Sequence, residues 1–140
     1  MVQLIVGNKG KGKTKELLDK ANAEVKEVSG NIVYLDKSSK HMFELNNKIR
    51  LIDVPEYMVE SSAEFLGFVS GIISQDHDLE KVYLDSVLTI ACIDTDEELM
   101  TIVDKLERLG KRFDVDFVLS VSRDEEELPE SLRAKIVVSL

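Results

Sequence analysis

Glycines and lysines alternate near the amino terminus with a spacing that suits phosphate binding. Residues 7–14 read Gly-Asn-Lys-Gly-Lys-Gly-Lys-Thr and fit the pattern G-x-x-x-x-G-K-[ST]. Glycines let backbone N–H groups curl around a phosphate without side-chain clashes. In this pattern Lys13 reaches the β- and γ-phosphates, and the Thr14 hydroxyl is a ligand for Mg²⁺. The residues predicted to bind a nucleoside triphosphate are Gly7, Asn8, Lys9, Gly10, Lys11, Gly12, Lys13 and Thr14.

The sequence on either side of this loop favours the same interpretation. Residues 2–6 are mostly apolar or β-branched, as in a buried parallel strand. After the loop, apolar residues recur at helical spacing as far as Val28, and Gly30 follows as a stop. The start of that helix would add unpaired N–H groups and a positive dipole end to the phosphate site. The alternative is a flexible glycine-lysine turn without a ligand.

A second strand, residues 81–84, ends in the carboxylate Asp85. Together with the loop it resembles the P-loop nucleoside triphosphatases, in which an aspartate at this place holds magnesium, usually through water. The resemblance implies that Thr14 and Asp85 hold Mg²⁺ with phosphate oxygens and water, the oxygen ligands that a hard dication prefers. The alternative is that Asp85 caps the loop that follows its strand.

The remaining apolar segments alternate between strand and helix. Strands are predicted at 31–36, 115–121 and 135–140, with a short extended piece around 49–54, and capping boxes begin helices at Ser61 and Thr95. Gly67 and Gly71 lie one turn apart in the first of these helices, where we expect them to pack closely on the sheet. Such alternation predicts a three-layer α/β/α fold with a mostly parallel five-stranded sheet, in one domain spanning 1–140.

The order of these strands resembles that of the RecA-like branch of the superfamily. The chain looks most like a minimal stand-alone core of this branch, akin to the short ATP-binding proteins that are labelled after the twitching-motility ATPases. In that branch the fourth strand lies between the loop strand and the aspartate strand. A polar residue late in the fourth strand senses the γ-phosphate, which implies a catalytic role for Ser120 or Ser122 beside Lys13. The alternative is that these serines only form the turn after the strand.

The position expected to hold the catalytic carboxylate departs from the family pattern. Many ATPases of this branch carry a glutamate directly after the magnesium aspartate, and here that position is Ser86. Some RecA-like members place the carboxylate at the end of the strand after the loop helix, which makes Asp36 the candidate; it equally fits a simple strand terminus. Glu56 and Glu60 are weaker candidates. We therefore expect slow hydrolysis, with Arg112 or Arg123 of a neighbouring subunit as a donor of positive charge.

Charge and composition limit the classes of partner that this chain is expected to bind. The 140 residues carry 18 Lys and Arg against 27 Asp and Glu, a net charge of −9, which argues against free nucleic acid as a ligand. No apolar run approaches the ~20 residues that span a bilayer, so no membrane partner is expected. Cys92 is the only cysteine, which favours a cytoplasmic protein. Asp76, His77 and Asp78 fit a surface loop better than a metal site.

Two functions remain open at this point. The first is Mg²⁺-dependent binding and slow hydrolysis of a nucleoside triphosphate, with ATP favoured because no guanine-reading Asn-Lys-x-Asp motif is present. The second is a regulatory module in which the nucleotide orders a surface for a protein partner or a second copy, without significant hydrolysis.

Overall fold

Six parallel strands form one sheet in the computed structural model, which describes all 140 residues. The strand order across the sheet is β3-β2-β4-β5-β1-β6, so that β5 lies between β1 and β4. The strands are β1 (Val2–Val6), β2 (Asn31–Asp36), β3 (Ile49–Asp53), β4 (Leu79–Leu84), β5 (Asp116–Val121) and β6 (Ile136–Ser139).

Five helices cover the two faces of this sheet. They are α1 (Lys13–Glu24), α2 (Ser62–Ser74), α3 (Val87–Ile90), α4 (Asp96–Phe113) and α5 (Glu130–Arg133). Alternation along the strands divides the core in two: Ile5 packs with Leu17 of α1, whereas Leu4 belongs to the cluster of Phe65 on α2 and Leu106 on α4. None of the helices is long and apolar enough to cross a bilayer.

The α/β class and the predicted helix starts are confirmed. Ser61 precedes α2 and its hydroxyl accepts the N–H of Glu64 at 3.1 Å. Thr95 precedes α4 and accepts the N–H of Glu98 in the same way, also at 3.1 Å. These side chains satisfy N–H groups that a helix leaves unpaired in its first turn.

The predicted number of strands is wrong, because the sheet has six and not five. Residues 49–53, predicted only as a short extended piece, pair in parallel with β2 from Ile49 opposite Ile32 to Asp53 opposite Asp36. Arg50 and Asp53 interrupt the apolar run that marks a central parallel strand. An edge strand tolerates such residues because one of its sides is not covered by another strand.

The expected role of Gly67 and Gly71 is also wrong. Both glycines are exposed on the outer side of α2, and a Cβ built on either one would have no atom within 4 Å. The residues of α2 that pack against the sheet are Phe65, Val69 and Ile73.

Candidate functional site

The loop motif from Gly7 to Thr14 runs from the end of β1 into the first two residues of α1, at the carboxyl edge of the sheet. Gly10 and Gly12 have φ angles of 83° and 94°, a left-handed conformation that side chains with a Cβ rarely adopt. Gly12 caps α1 without a side-chain hydrogen bond. No backbone N–H group from residue 8 to residue 15 donates to an acceptor within the chain. The loop thus offers a row of free donors at a helix start, the arrangement that binds anions.

Lys13 is the one buried lysine of the loop. Its Nζ donates to the carbonyl oxygen of Asn8 at 3.1 Å, so the side chain folds back across the loop. Burial lowers the pKa of Lys13, and the positive charges of Lys37 and Lys9 lower it further, while the carboxylate of Asp85 opposes the change. A buried ammonium among other lysines gains most from an anion placed beside it.

Three hydroxyl groups converge on the carboxylate of Asp85, which is only 2% exposed. Thr14 donates to Oδ1 at 3.3 Å and Ser120 donates to the same oxygen at 2.9 Å. Tyr34 donates to Oδ2 at 2.8 Å. Both oxygens of Asp85 therefore have partners from three other elements, which holds the carboxylate directly beside the start of α1.

A polar cavity of about 500 Å³ opens in front of the loop, and no hydrophobic residue lines it. Its wall carries three lysines against one carboxylate, in a chain whose net charge is −9. Such a local excess of positive charge favours a polyanion. The lining residues are Lys9, Gly10, Gly12, Lys13, Thr14, Lys37, Asp85, Ser86, Thr89 and Ser122.

Ser86 stands between Asp85 and α3 in a strained conformation. Its φ is 58° and its ψ 57°, in the left-handed region that is unusual for a serine. Its N–H donates to the hydroxyl of Ser120 at 2.7 Å, and that hydroxyl donates onward to Asp85. Ser120 is 1% exposed and both of its hydrogen-bonding roles are used inside the protein. Ser122, the alternative sensor, lies in the cavity wall.

Asp36 is as buried as Asp85 but has fewer partners. Its Oδ1 accepts the N–H of Lys37 at 2.7 Å, and its Oδ2 has no hydrogen-bond partner. Burial raises the pKa of Asp36, and the nearby charge of Asp85 raises it further. Leu35 is opposite Leu84 in the sheet, so Asp36 and Asp85 follow at neighbouring strand ends. Asp36 itself does not line the loop cavity.

The other predicted site residues divide into two groups. Gly7, Asn8 and Lys11 belong to the loop but lie outside the cavity wall, and the Asn8 amide donates to Asp124 at 2.7 Å. Arg123 is close to the loop, since its carbonyl oxygen accepts the N–H of Gly7 at 2.8 Å. Its guanidinium is paired with Asp96 at 2.6 Å.

The remaining candidates lie away from the cavity. Arg112 lines a groove between α2 and α4, and Glu56 and Glu60 lie between β3 and α2. Asp76 accepts the side-chain amide of Asn31 and the N–H of Asp78 in the turn before β4. No group of three or more His, Cys, Asp or Glu side chains in the molecule could hold a metal ion.

Sequence reasoning missed Tyr34, Lys37 and Thr89. Tyr34 precedes Asp36 by two residues, so alternation along β2 puts both on the same face, and this signal was available. Lys37 directly follows a strand that ends at the same edge as the loop. Its presence in the cavity wall depends on β2 lying beside β4, which no local pattern reveals.

The donor atoms of this site suit magnesium better than a softer metal. Thr14 and Asp85 offer one hydroxyl and one carboxylate within hydrogen-bond distance, and no histidine or cysteine lines the cavity. Mg²⁺ binds through one or two protein oxygen ligands together with phosphates and water. The residues present therefore fit the ion that the loop motif implies.

Comparison with protein-family models and with curated proteins finds no match to this chain.

Proposed function

We propose that this chain is a minimal P-loop protein that binds a nucleoside triphosphate, ATP by default, as its Mg²⁺ complex and hydrolyses it slowly. One observation carries the proposal: free N–H groups of residues 9, 10 and 12–14, the Lys13 ammonium and the Thr14–Asp85 pair meet at one cavity without hydrophobic lining. A triphosphate would supply acceptors for the N–H groups and an anion for Lys13. The proposal includes the RecA-like branch, which is supported by β5 lying between β1 and β4.

Thr14 and Asp85 would hold the magnesium ion. When bound, Mg²⁺ neutralises phosphate charge and orients the phosphates. The chain's own contribution is to fix these two ligands: Ser120 and Tyr34 hold the Asp85 carboxylate, and α1 holds Thr14 beside it. Hydrogen bonds that orient ligands in this way contribute substantially to metal affinity.

Slow hydrolysis follows from the lack of a base in the cavity wall. Asp85 is the only carboxylate there, and Ser86 cannot take a proton from water at neutral pH as a carboxylate can. We propose Asp36 as the residue that carries the remaining activity, because its Oδ2 is free of partners and its raised pKa suits a base. Lys37 adds positive charge to the same cavity from within the chain.

A second candidate function is a nucleotide-dependent regulatory module without significant hydrolysis. The observation that favours it is the position of Asp36 behind the cavity wall, where a bound water has no direct access to its carboxylate. In this case the bound nucleotide would order the loop and the segment after β5, which are joined by the Asn8–Asp124 hydrogen bond.

Calorimetry tests whether any nucleotide binds, and an assay of phosphate release distinguishes the two proposed functions. The protein is titrated with ATP, GTP, ADP and GDP, each with and without Mg²⁺, and phosphate release is measured in the same samples. We expect triphosphate binding that Mg²⁺ strengthens, with turnover well below the ~10 s⁻¹ median of enzymes. Binding without any phosphate release would favour the regulatory module, and no binding of any nucleotide would contradict both.

A further inference from the structure

The outer face of α2 lacks the charged residues that a solvent-facing helix usually carries. After Glu64 the helix has no charged side chain, and its exposed or half-exposed outer positions include Gly67, Ser70, Gly71 and Ser74. The neighbouring α4 differs, since charged residues continue along it to Arg112. The outer face of α2 therefore lacks the charged side chains that a solvent-facing helix usually presents.

Apolar side chains continue this face toward β3, the edge strand. A groove of about 480 Å³ lies between α2 and β3, and Phe68 and Ile72 line it from the helix while Ile52 lines it from the strand. Tyr57 packs on the ring of Phe68 with centroids 5.8 Å apart, yet remains 63% exposed. We call the outer side of α2 with this groove the α2 face.

Positive charge lies beside the middle and the carboxyl-terminal half of α2. A groove of about 320 Å³ between α2 and α4 is lined by Lys105, Arg108 and Arg112, and Arg50 lines the groove beside β3. Three of these four residues are arginines, in a chain that is acidic overall. Arg108 pairs only with the exposed Asp104 of its own helix, at 3.3 Å.

Negative charge gathers at the opposite end, where α2 and α4 begin. Glu60, Glu64, Asp94 and Glu98 surround Cys92 there: burial raises the pKa of its thiol and the charges of these four carboxylates raise it further. The hydroxyl of Ser62 also lies 3.4 Å from Glu98, which joins the two helix starts. Both helices start at the carboxyl edge of the sheet, so the face is acidic where α2 begins and basic from its middle onward.

We propose that the α2 face binds a second copy of this chain, with the two α2 helices antiparallel about a two-fold axis. A two-fold interface places the same patch on both sides, so it must be complementary to itself. Antiparallel packing puts the acidic end of each copy against the basic end of the other. The exposed glycines at the centre leave room for the partner helix, and the apolar residues of the groove border the contact.

Substitution at the centre of the face tests this proposal with little effect on the fold. A side chain at position 67 meets no atom of its own chain within 4 Å, and glutamine favours a helix more than glycine does. We expect wild type to sediment as a dimer and Gly67→Gln to weaken dimerisation at least tenfold while the variant remains folded. Ala23→Gln on the exposed side of α1 is the matched control and should remain dimeric.

Charge reversal gives an independent test. Arg108→Glu should weaken the dimer at least tenfold. Lys26→Glu makes the same change of charge at an exposed position just after α1 and should not weaken it. Combining Arg108→Glu with Glu60→Arg exchanges charge between the two ends and should restore association. A monomeric wild type at high protein concentration would overturn the proposal, and so would a dimer unaffected by both Gly67→Gln and Arg108→Glu.

Discussion

The ends of β2 and β4 present two carboxylates that are buried to the same extent but bonded very differently. Asp85 and Asp36 are each 2% exposed and lie at neighbouring strand ends. Three hydroxyls donate to Asp85, whereas Asp36 accepts one backbone N–H and leaves Oδ2 without a partner. Burial alone therefore does not define the role of a carboxylate. The bonded group is suited to be a fixed ligand, and the incompletely bonded one is suited to exchange a proton.

The sheet order explains the difference. β4 lies between β2 and β5, so Tyr34 and Ser120 both reach Asp85, and α1 adds Thr14. β2 lies between β4 and the edge strand β3, whose residue opposite Asp36 is Asp53. A neighbouring carboxylate cannot donate a hydrogen bond when ionised, so Asp36 lacks the partners that Asp85 has.

The largest expected effect is on turnover. If Asp36 is the base, Asp36→Asn should lower phosphate release by about 100-fold or more, the range that a positioned general base contributes. Affinity for the Mg²⁺–ATP complex should change little, because Asp36 supplies none of the groups proposed to hold the nucleotide and the ion: the loop N–H groups, Lys13, Thr14 and Asp85. Steady-state phosphate release and calorimetry on the same samples measure both. A variant as active as wild type would place the base elsewhere.

Asp85→Asn should act on metal-dependent binding. An amide replaces the carboxylate that faces Thr14, so we expect affinity for the Mg²⁺ complex to fall by roughly 30-fold, about 2 kcal/mol at 1.4 kcal/mol per tenfold. Affinity for metal-free ATP should fall much less. Equal losses with and without Mg²⁺ would indicate that Asp85 has a structural role only.

Tyr34→Phe should make Asp85 resemble Asp36 by removing the donor to Oδ2. A hydrogen bond to a charged group contributes about 1.5–3 kcal/mol, so the free energy of unfolding should fall by roughly that amount. Tyr83→Phe is the matched control, because the Tyr83 hydroxyl is buried without a partner and its ring stacks on Tyr34. Urea unfolding compares the two variants. A Tyr83→Phe variant as destabilised as Tyr34→Phe would show that the rings and not the hydrogen bond matter.

The smallest expected effect is the pH dependence of stability caused by Asp36. Burial and the charge of Asp85 raise the pKa of Asp36, so the folded protein holds this proton more tightly than the unfolded chain. The stability that the protonated Asp36 carboxyl contributes is fully present below the ordinary pKa of ~3.9. It is lost as the pH rises through the raised pKa of the folded state. Asp36→Asn should therefore gain stability relative to wild type as the pH rises above ~3.9. A difference that does not change with pH would contradict this assignment.

Local patterns predicted most of the fold. The loop residues, the caps Ser61 and Thr95, and the strands that end in Asp36 and Asp85 depend on neighbours within a few residues. The edge strand was predicted only as a short extended piece, because its mixed polarity reflects its place in the sheet rather than its own propensity.

Those local patterns could not predict contacts between residues on different strands of the sheet. The bond from Tyr34 to Asp85 joins residues 51 positions apart, and Lys37 enters the cavity only because β2 is next to β4. The exposure of Gly67 depends on how α2 is rotated over the sheet. Such features are set by tertiary packing, which overrides local preference.

Calorimetry of Mg²⁺–ATP binding to wild type, Lys13→Ala and Lys11→Ala tests nucleotide binding at the loop most directly. Both lysines lie in the loop, but only Lys13 is buried and lines the cavity. We predict that Lys13→Ala loses at least 100-fold in affinity, roughly the effect of one or two charge-assisted bonds, while Lys11→Ala stays within a few-fold of wild type. Undiminished affinity in a folded Lys13→Ala variant would contradict binding of the triphosphate at this loop.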